Sequence, residues 1–307
     1  MSVKLLCAVA LSCLLAGNAG AYDELGGVVE SDLSITTGGG GDISYAVFAR
    51  GGDNGLWWRA KVGENWTDWD RIGDPEIMKY APACITMDRR IHCAFVGTDN
   101  SVYLVYQPMT DAVKWDGPFN LGGQTKYSPT VKVSYESSDT PVFEVFVRGG
   151  GDQLFMNSAT TSGWSGWNPL GKIGGIPVCA GSTRDSTDPW DDEVLCAWRN
   201  TKDQVFASVM ANQPYTWLDT QGMSDGKPTI TRQMGKYPYR MLVRGMDGVI
   251  WYNNYRVGGW QGWRQATNLY TGTSLACLED AGTTVCASKN EQKGVDVVYY
   301  ANSQFME

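Results

Sequence analysis

The sequence predicts an all-β fold, a six-bladed β-propeller of four-stranded antiparallel blades, and three observations predict it. A motif recurs along the chain at the length of one blade. The 307 residues include 13 Trp, 15 Tyr and 37 Gly, and little of the chain has helical periodicity, which suits many short strands joined by tight turns. Six cysteines fall on the same repeat grid.

The first residues read as a leader. Lys4 is the only charge before Tyr22, an apolar run from Leu5 to Ala16 follows it, and Gly17-Asn18-Ala19-Gly20-Ala21 ends in an A-x-A site. That is the pattern of a secretory signal peptide. Residues 1–21 are expected to be removed, leaving residues 22–307 as a single propeller domain in an extracellular setting. The run is too short to span a bilayer, so no membrane insertion is expected. Without Lys4 the formal charge of −8 becomes −9. Nucleic acid and anionic membranes both call for a basic patch, and neither is an expected partner. Cys7 and Cys13 depart with the leader, and the remaining six suit an oxidising compartment.

The repeat itself is strongest in three places. Arg50-Gly51, Arg148-Gly149 and Arg244-Gly245 each follow a short apolar strand. Six residues after each Arg stands Leu56, Leu154 or Ile250, followed by Trp57, Phe155 or Trp251. Sixteen residues after each Arg a W-x-x-W begins: Trp66/Trp69, Trp164/Trp167 and Trp260/Trp263. Weaker copies lie between. Val96 precedes Val102-Tyr103 and Arg199 precedes Val205-Phe206 at the same offsets, and Lys289 precedes Val297 to Tyr300 with a small insertion. Trp115 and Trp217 stand where a W-x-x-W would fall, in an ambiguous register. The six markers are 46, 52, 51, 45 and 45 residues apart, the size of a four-stranded blade.

Cys93, Cys196 and Cys286 each sit three residues before the marker of an even unit, where the odd units have Val47, Val145 and Met241. Cys84, Cys179 and Cys277 precede them in the neighbouring strand. Antiparallel neighbours come within disulfide reach, which predicts Cys84–Cys93, Cys179–Cys196 and Cys277–Cys286 as structural staples, each contributing about 2–3 kcal/mol. The ends supply closure. The last unit stops at Glu307, too early for a fourth strand, while Tyr22 to Gly27 is similar to the end of a W-x-x-W unit at Trp167 to Gly171. The N-terminal strand is therefore expected to complete the last blade.

The stretch Phe146-Val147-Arg148-Gly149, through Leu154-Phe155, to Trp164-Ser165-Gly166-Trp167-Asn168-Pro169-Leu170-Gly171 resembles the repeat of Photorhabdus-type lectin propellers. More distantly it is similar to tectonin repeats and to fungal fucose-binding lectins. The resemblance covers nearly the whole chain after the leader, well in three units and thinly in three. It implies a secreted, multivalent protein with shallow sugar sites between blades, glycans or glycoproteins as partners, and no cofactor. The first of these groups usually has seven blades, against six here. If only the odd units keep sites, the protein is trivalent at most.

The candidate carbohydrate-binding residues are Arg50, Trp57, Trp66, Trp69, Arg148, Trp164, Trp167, Arg244, Trp251, Trp260 and Trp263. An indole face stacks on a pyranose ring and its N–H donates to a hydroxyl, but repeated large aromatics also fill the wedge between blades. A guanidinium suits vicinal hydroxyls, yet it can equally brace the turn whose glycine follows it. Asp53, Asp99, Asp152 and Asp247 read as turn residues. The acidic run Asp185, Asp188, Asp191, Asp192 and Glu193 reads as a solvated loop, because its spacing matches no calcium loop. Asn65-Trp66-Thr67 is an N-glycosylation sequon, and a glycan at Asn65 is expected to obstruct the first W-x-x-W. His92 is the single histidine and reads as packing. With no histidine pair or metal-spaced cysteine cluster, zinc chemistry is not expected.

Three functions follow as expectations: a multivalent lectin, a protein-binding or structural propeller, and a secreted glycosidase. The glycosidase needs a carboxylate pair, which would break the repeat symmetry, whereas the features that recur here are aromatic and cationic. That favours non-catalytic binding. Exposure of Trp57, Trp58 and the tandem Trp pairs separates binding from mere packing.

Overall fold

The computed structural model describes residues 22–40, 42–108, 114–135, 140–160, 163–180, 195–209, 217–232, 239–256 and 259–301. The leader at 1–21 and the acidic run at 185–193 lie outside the described residues. Six antiparallel sheets form the ring. Blade 1 uses Ser34–Thr37, Ile43–Arg50, Leu56–Val62, Asn65–Trp66 and Asp70–Ile72. Blade 2 uses Ala83–Met87, Arg90–Val96, Val102–Tyr106 and Asp116–Gly122. Blade 3 uses Thr130–Tyr135, Pro141–Arg148, Gln153–Thr160, Gly163–Trp164 and Asn168–Lys172. Blade 4 uses Val178–Ala180, Leu195–Arg199, Gln204–Val209 and Leu218–Met223. Blade 5 uses Thr229–Arg232, Tyr239–Arg244, Val249–Arg256, Gly259–Trp260 and Arg264–Tyr270. Blade 6 uses Ala276–Asp280, Thr283–Lys289, Val295–Ala301 and, as expected, the N-terminal Tyr22–Gly26. No helix among the described residues is long and apolar enough to cross a membrane.

In the odd blades the fourth strand is split, and both pieces pair with the third. The break falls on the W-x-x-W, where the chain bulges between the two tryptophans. The residue after the first Trp keeps one backbone bond across the bulge: Thr67 N to Ala60 O at 2.8 Å, Ser165 N to Ser158 O at 2.9 Å and Gln261 N to Asn254 O at 3.0 Å.

Strand alternation decides the core. Along each second strand one residue faces the preceding blade and the next faces the following blade. Val47 thus packs against blade 6 while Phe48 packs against blade 2. Six apolar clusters result, one per blade junction. All three expected disulfides are formed, and each joins directly opposed residues at a Cα–Cα distance of 4.1 Å. The same register in odd blades holds the apolar pairs Ile35–Val47, Val131–Val145 and Ile230–Met241. A covalent pair and a hydrophobic pair are therefore alternatives at one site in the repeat.

Closure is secured by side chains as well as by the ladder. Asp23 accepts from Trp66 Nε1 at 2.9 Å, Lys61 Nζ at 3.0 Å and the Tyr299 hydroxyl at 2.7 Å. Burial alone would raise the Asp23 carboxyl, but these three donors hold it below the usual range. Inner strands of all six blades surround a central channel of about 480 Å³. Near it Lys132 and Glu144 form a buried ion pair at 2.6 Å.

His92 packs as expected, 5 % exposed, with its ring 5.6 Å from Tyr106 and 5.3 Å from Phe143. Its Nδ1–H donates to Arg90 O at 3.1 Å. Burial pushes the imidazole down to about 4. The unfolded chain takes up this proton near pH 6.5 and the folded chain only near 4. Stability is therefore expected to fall by roughly 3 kcal/mol as the pH drops through this window. In His92→Phe that part of the pH slope should vanish, as read from denaturant unfolding at pH 7, 5.5 and 4. Parallel slopes in the two proteins would show that the folded ring takes up its proton over the same pH range as the unfolded chain, and would overturn the lowered value.

Candidate functional site: grooves between even and odd blades

Turns between second and third strands and the connections between blades share one end of the ring, here the turn face. Each Arg-Gly belongs to such a turn. A Cβ on Gly51 would lie 2.6 Å from the Trp57 ring, on Gly149 2.7 Å from Phe155, and on Gly245 2.7 Å from Trp251. Glycine is required because the aromatic of the third strand lies across its backbone. The arginines brace the surrounding loops. Arg50 donates to Glu30 O at 2.8 Å and to Asn54 Oδ1. Arg148 pairs with Asp152 at 2.6 Å and lies 4.5 Å from the Tyr127 ring centre. Arg244 donates to Thr271 O at 2.5 Å and pairs with Asp225. Of the two roles open to these residues, the structure supplies the bracing one.

Aspartates of the same turns prove to be more than turn residues. Trp57 Nε1 donates to Asp53 Oδ1 at 2.8 Å, the Tyr103 hydroxyl to Asp99 at 3.0 Å, and Trp251 Nε1 to both Asp247 oxygens at 3.3 Å. Burial would raise Asp53, but hydrogen bonds from Trp57, Gly55 and Arg71 hold it below the usual carboxylate range. A signal existed in the sequence, an Asp four residues before each aromatic that carries a donor. In blade 3 the aromatic is Phe155, which has no N–H, and Asp152 stands one residue later and turns to Arg148 instead.

The second tryptophan of each W-x-x-W turns toward the preceding blade. Trp69 Nε1 donates to Leu25 O at 3.2 Å, Trp167 to Leu121 O at 3.1 Å and Trp263 to Thr220 O at 2.9 Å. Each ring lies against a glycine, Gly27, Gly123 or Gly222, where a Cβ would approach to 2.7, 2.7 or 2.3 Å. Between Trp57 and Trp69 a groove of about 310 Å³ is left, walled by these two rings, Asp53 and Gly27-Val28. Trp251, Trp263, Asp247 and Gly222-Met223 wall its counterpart of about 320 Å³ at blade 5. The rims carry exposed apolar groups, Val28 at 63 % and Met223 and Met246 at 49 and 56 %. Sequence reasoning missed these three, since their matching positions are not of one residue type.

Trp66, Trp164 and Trp260 do not join these grooves. Each pairs across the end of the third strand remote from the turns, so it lies toward the opposite face. Trp66 is tied to Asp23, Trp164 meets Phe143 edge-on at 6.2 Å and is 38 % exposed, and Trp260 meets Tyr255 at 5.2 Å. Asn65 is exposed on this far hairpin, so a glycan there would leave the Trp57–Trp69 groove open and crowd only Trp66. Trp58 is buried in the junction with blade 2, and Trp57, Trp69, Trp251 and Trp263 are half-buried. Packing and exposure thus divide between residues.

Two registers are settled. Trp217 precedes Asp219, which opposes Phe206 as Arg71 opposes Trp57, so Trp217 matches Trp69. In blade 2, Asn120 opposes Tyr103, which sets Trp115 level with Trp66. Blade 6 has no insertion. Lys289 opposes Val295 as Arg50 opposes Leu56, so Asp296, and not a residue of the run from Val297, occupies the aromatic position. The apolar run had masked this substitution.

The fold and the repeated grooves define the class, a six-bladed propeller with aromatic hollows at its blade junctions. No family model matches the chain, and no curated protein matches it. Solved structures are similar in fold. AofleA of Arthrobotrys oligospora superposes with a TM-score of 0.67 at 10 % identity, over 92 % of this chain and 87 % of its own. A fungal lectin of Aleuria aurantia, described as a six-bladed β-propeller with a fucose recognition mode, gives 0.68 at 10 % identity over 89 % and 93 %. Trypanosoma rangeli sialidase gives 0.56 at 13 % identity, over 94 % of this chain but 57 % of its own. At such identities the likeness is one of fold.

Proposed function

We propose that the protein is a secreted, multivalent carbohydrate-binding protein whose sites are the grooves between even and odd blades on the turn face. One observation carries this reading: the aromatic pair, the turn aspartate and the supporting glycine recur in blades 1 and 5, two-thirds of the ring apart in sequence. Recurrence of the same groups around the ring suits binding better than turnover. Trp57 or Trp251 offers an indole to the apolar face of a sugar ring, and Asp53 or Asp247 offers carboxylate oxygens to its hydroxyls. Blade 3 keeps the frame with Phe155 and Trp167 but leaves its aspartate on Arg148, and is expected to bind more weakly. Shallow sites gain avidity by repetition.

A glycan array probed with residues 22–307, disulfides formed, tests the reading. Fucosides lead the first ligands because the Aleuria aurantia lectin recognises fucose. Binding to one sugar class, competed by the free monosaccharide, is expected. Silence from folded protein would turn the assignment to a protein-binding propeller. If Asn65 is glycosylated in a eukaryotic secretory host, Asn65→Gln is expected to remove the added mass without changing array binding. Stronger binding by the variant would place the site at Trp66.

A further inference from the structure

Blade 6 breaks the repeat on the turn face. Seven residues after the end of the second strand marked by Arg50, Val96, Arg148, Arg199 or Arg244, the other blades place Trp57, Tyr103, Phe155, Phe206 or Trp251. The rings of Trp57, Tyr103, Phe155 and Trp251 lie across the glycine of their own turn. Blade 6 places Asp296 there, hydrogen-bonded to Asn290 Nδ2 at 3.1 Å. With no ring in that position, the junction of blades 5 and 6 holds a polar hollow of about 540 Å³, whose walls include Arg244, Asn290, Glu291, Gln292 and Asp296. This hollow shares Met246 and Asp247 with the Trp251–Trp263 groove. An aromatic hollow and a polar hollow therefore lie on either side of a single turn.

From this juxtaposition we infer that the blade 5 site takes an oligosaccharide, with one unit stacked in the Trp251–Trp263 groove and the next laid across the Met246–Asp247 turn into the polar hollow. The inference rests on the glycan-binding reading above. The two hollows ask for different chemistry. The first offers indole faces and exposed methionines, which suit the apolar face of a ring. The second offers carboxylates of Asp247, Glu291 and Asp296 and the amide of Gln292, which suit a hydroxyl-rich unit. Arg244 is already engaged by Asp225 and Thr271 O, so the free charge in the hollow is negative. The second unit is therefore a neutral or amine-bearing sugar, and an acidic sugar is repelled there.

The test uses the methyl glycosides of fucose, galactose and N-acetylglucosamine and neutral disaccharides that contain each of them. Affinities are measured by calorimetry on residues 22–307 carrying Trp57→Ala, with added Trp251→Ala identifying the blade 5 component. The disaccharide of the recognised sugar is expected to bind at least about tenfold more tightly than its methyl glycoside. Glu291→Ala/Gln292→Ala removes two exposed side chains with no partner among the described residues, and is expected to abolish that advantage while leaving methyl glycoside binding unchanged. Equal affinities, or an advantage that survives in the double variant, would overturn the oligosaccharide site alone. Folded protein that binds neither mono- nor disaccharide would overturn both this inference and the function on which it rests.

Discussion

Trp57→Ala combined with Trp251→Ala is expected to lower the avidity for a glycan surface by at least about a hundredfold while the protein stays folded. Each ring stands in a groove wall, half-buried, with its N–H on a turn aspartate that keeps other donors: Asp53 still receives Gly55 N, and Asp247 still receives Val249 N. Losing a stacked aromatic costs a site about 1–1.5 kcal/mol beyond the area it buries, or roughly tenfold, and two sites acting together multiply the loss. Each substitution costs half of a full burial, about 1–1.5 kcal/mol of stability, a shift of a few degrees in Tm. Trp69→Ala and Trp263→Ala are expected to lower the melting temperature far more. Those rings wall the same grooves, but they also wedge between blades and satisfy a backbone carbonyl of the neighbour, so each loss costs about 3–5 kcal/mol and lowers stability together with binding. Surface plasmon resonance against melting temperature separates the two pairs. Unchanged avidity in the folded Trp57/Trp251 variant would remove the grooves as the binding sites and point to Trp164 and its counterparts on the opposite face.

Removal of all three disulfides as Cys→Ala pairs is expected to leave the domain unfolded or barely folded. Loops of 9, 17 and 9 residues are closed, and opening them costs about 8 kcal/mol in total by the loop-entropy relation. The whole stability of a domain is about 5–15 kcal/mol. The odd blades supply a better replacement, since Ile35–Val47 occupies the same register without a bridge. Ile/Val pairs at 84/93, 179/196 and 277/286 restore junction packing against Phe48, Phe146 and Leu242 though not the crosslink. They are expected to recover about 1–2 kcal/mol per blade over Ala pairs and to give a folded protein of lowered Tm. If both replacements unfold equally in denaturant titrations, the crosslink matters and the packing of this site does not.

Blade number, blade order, the closing strand and all three bridges were legible in the sequence, because a repeat fixes them by spacing. An apolar strand, a turn glycine and an aromatic at constant offsets can be satisfied only by stacking equivalent sheets, and the cysteines inherit that register. The split of the fourth strand was not legible, since two tryptophans in one motif look like one structural unit until the bulge sends them to different ends of the blade. Nor did composition reveal that Arg148 is spent on Asp152 of its own turn, or that Arg50 and Arg244 are spent on Glu30 O, Thr271 O and Asp225 from neighbouring loops. Residue type and period come from one blade alone, and the sequence determines those. Which face a ring presents, what braces it, and whether a hollow opens beside it depend on the neighbouring blade, where Asp296 replaces a ring and Val28 or Met223 arrives from the preceding sheet. Only the tertiary structure decides these, because a groove between blades is made by residues that no single repeat contains.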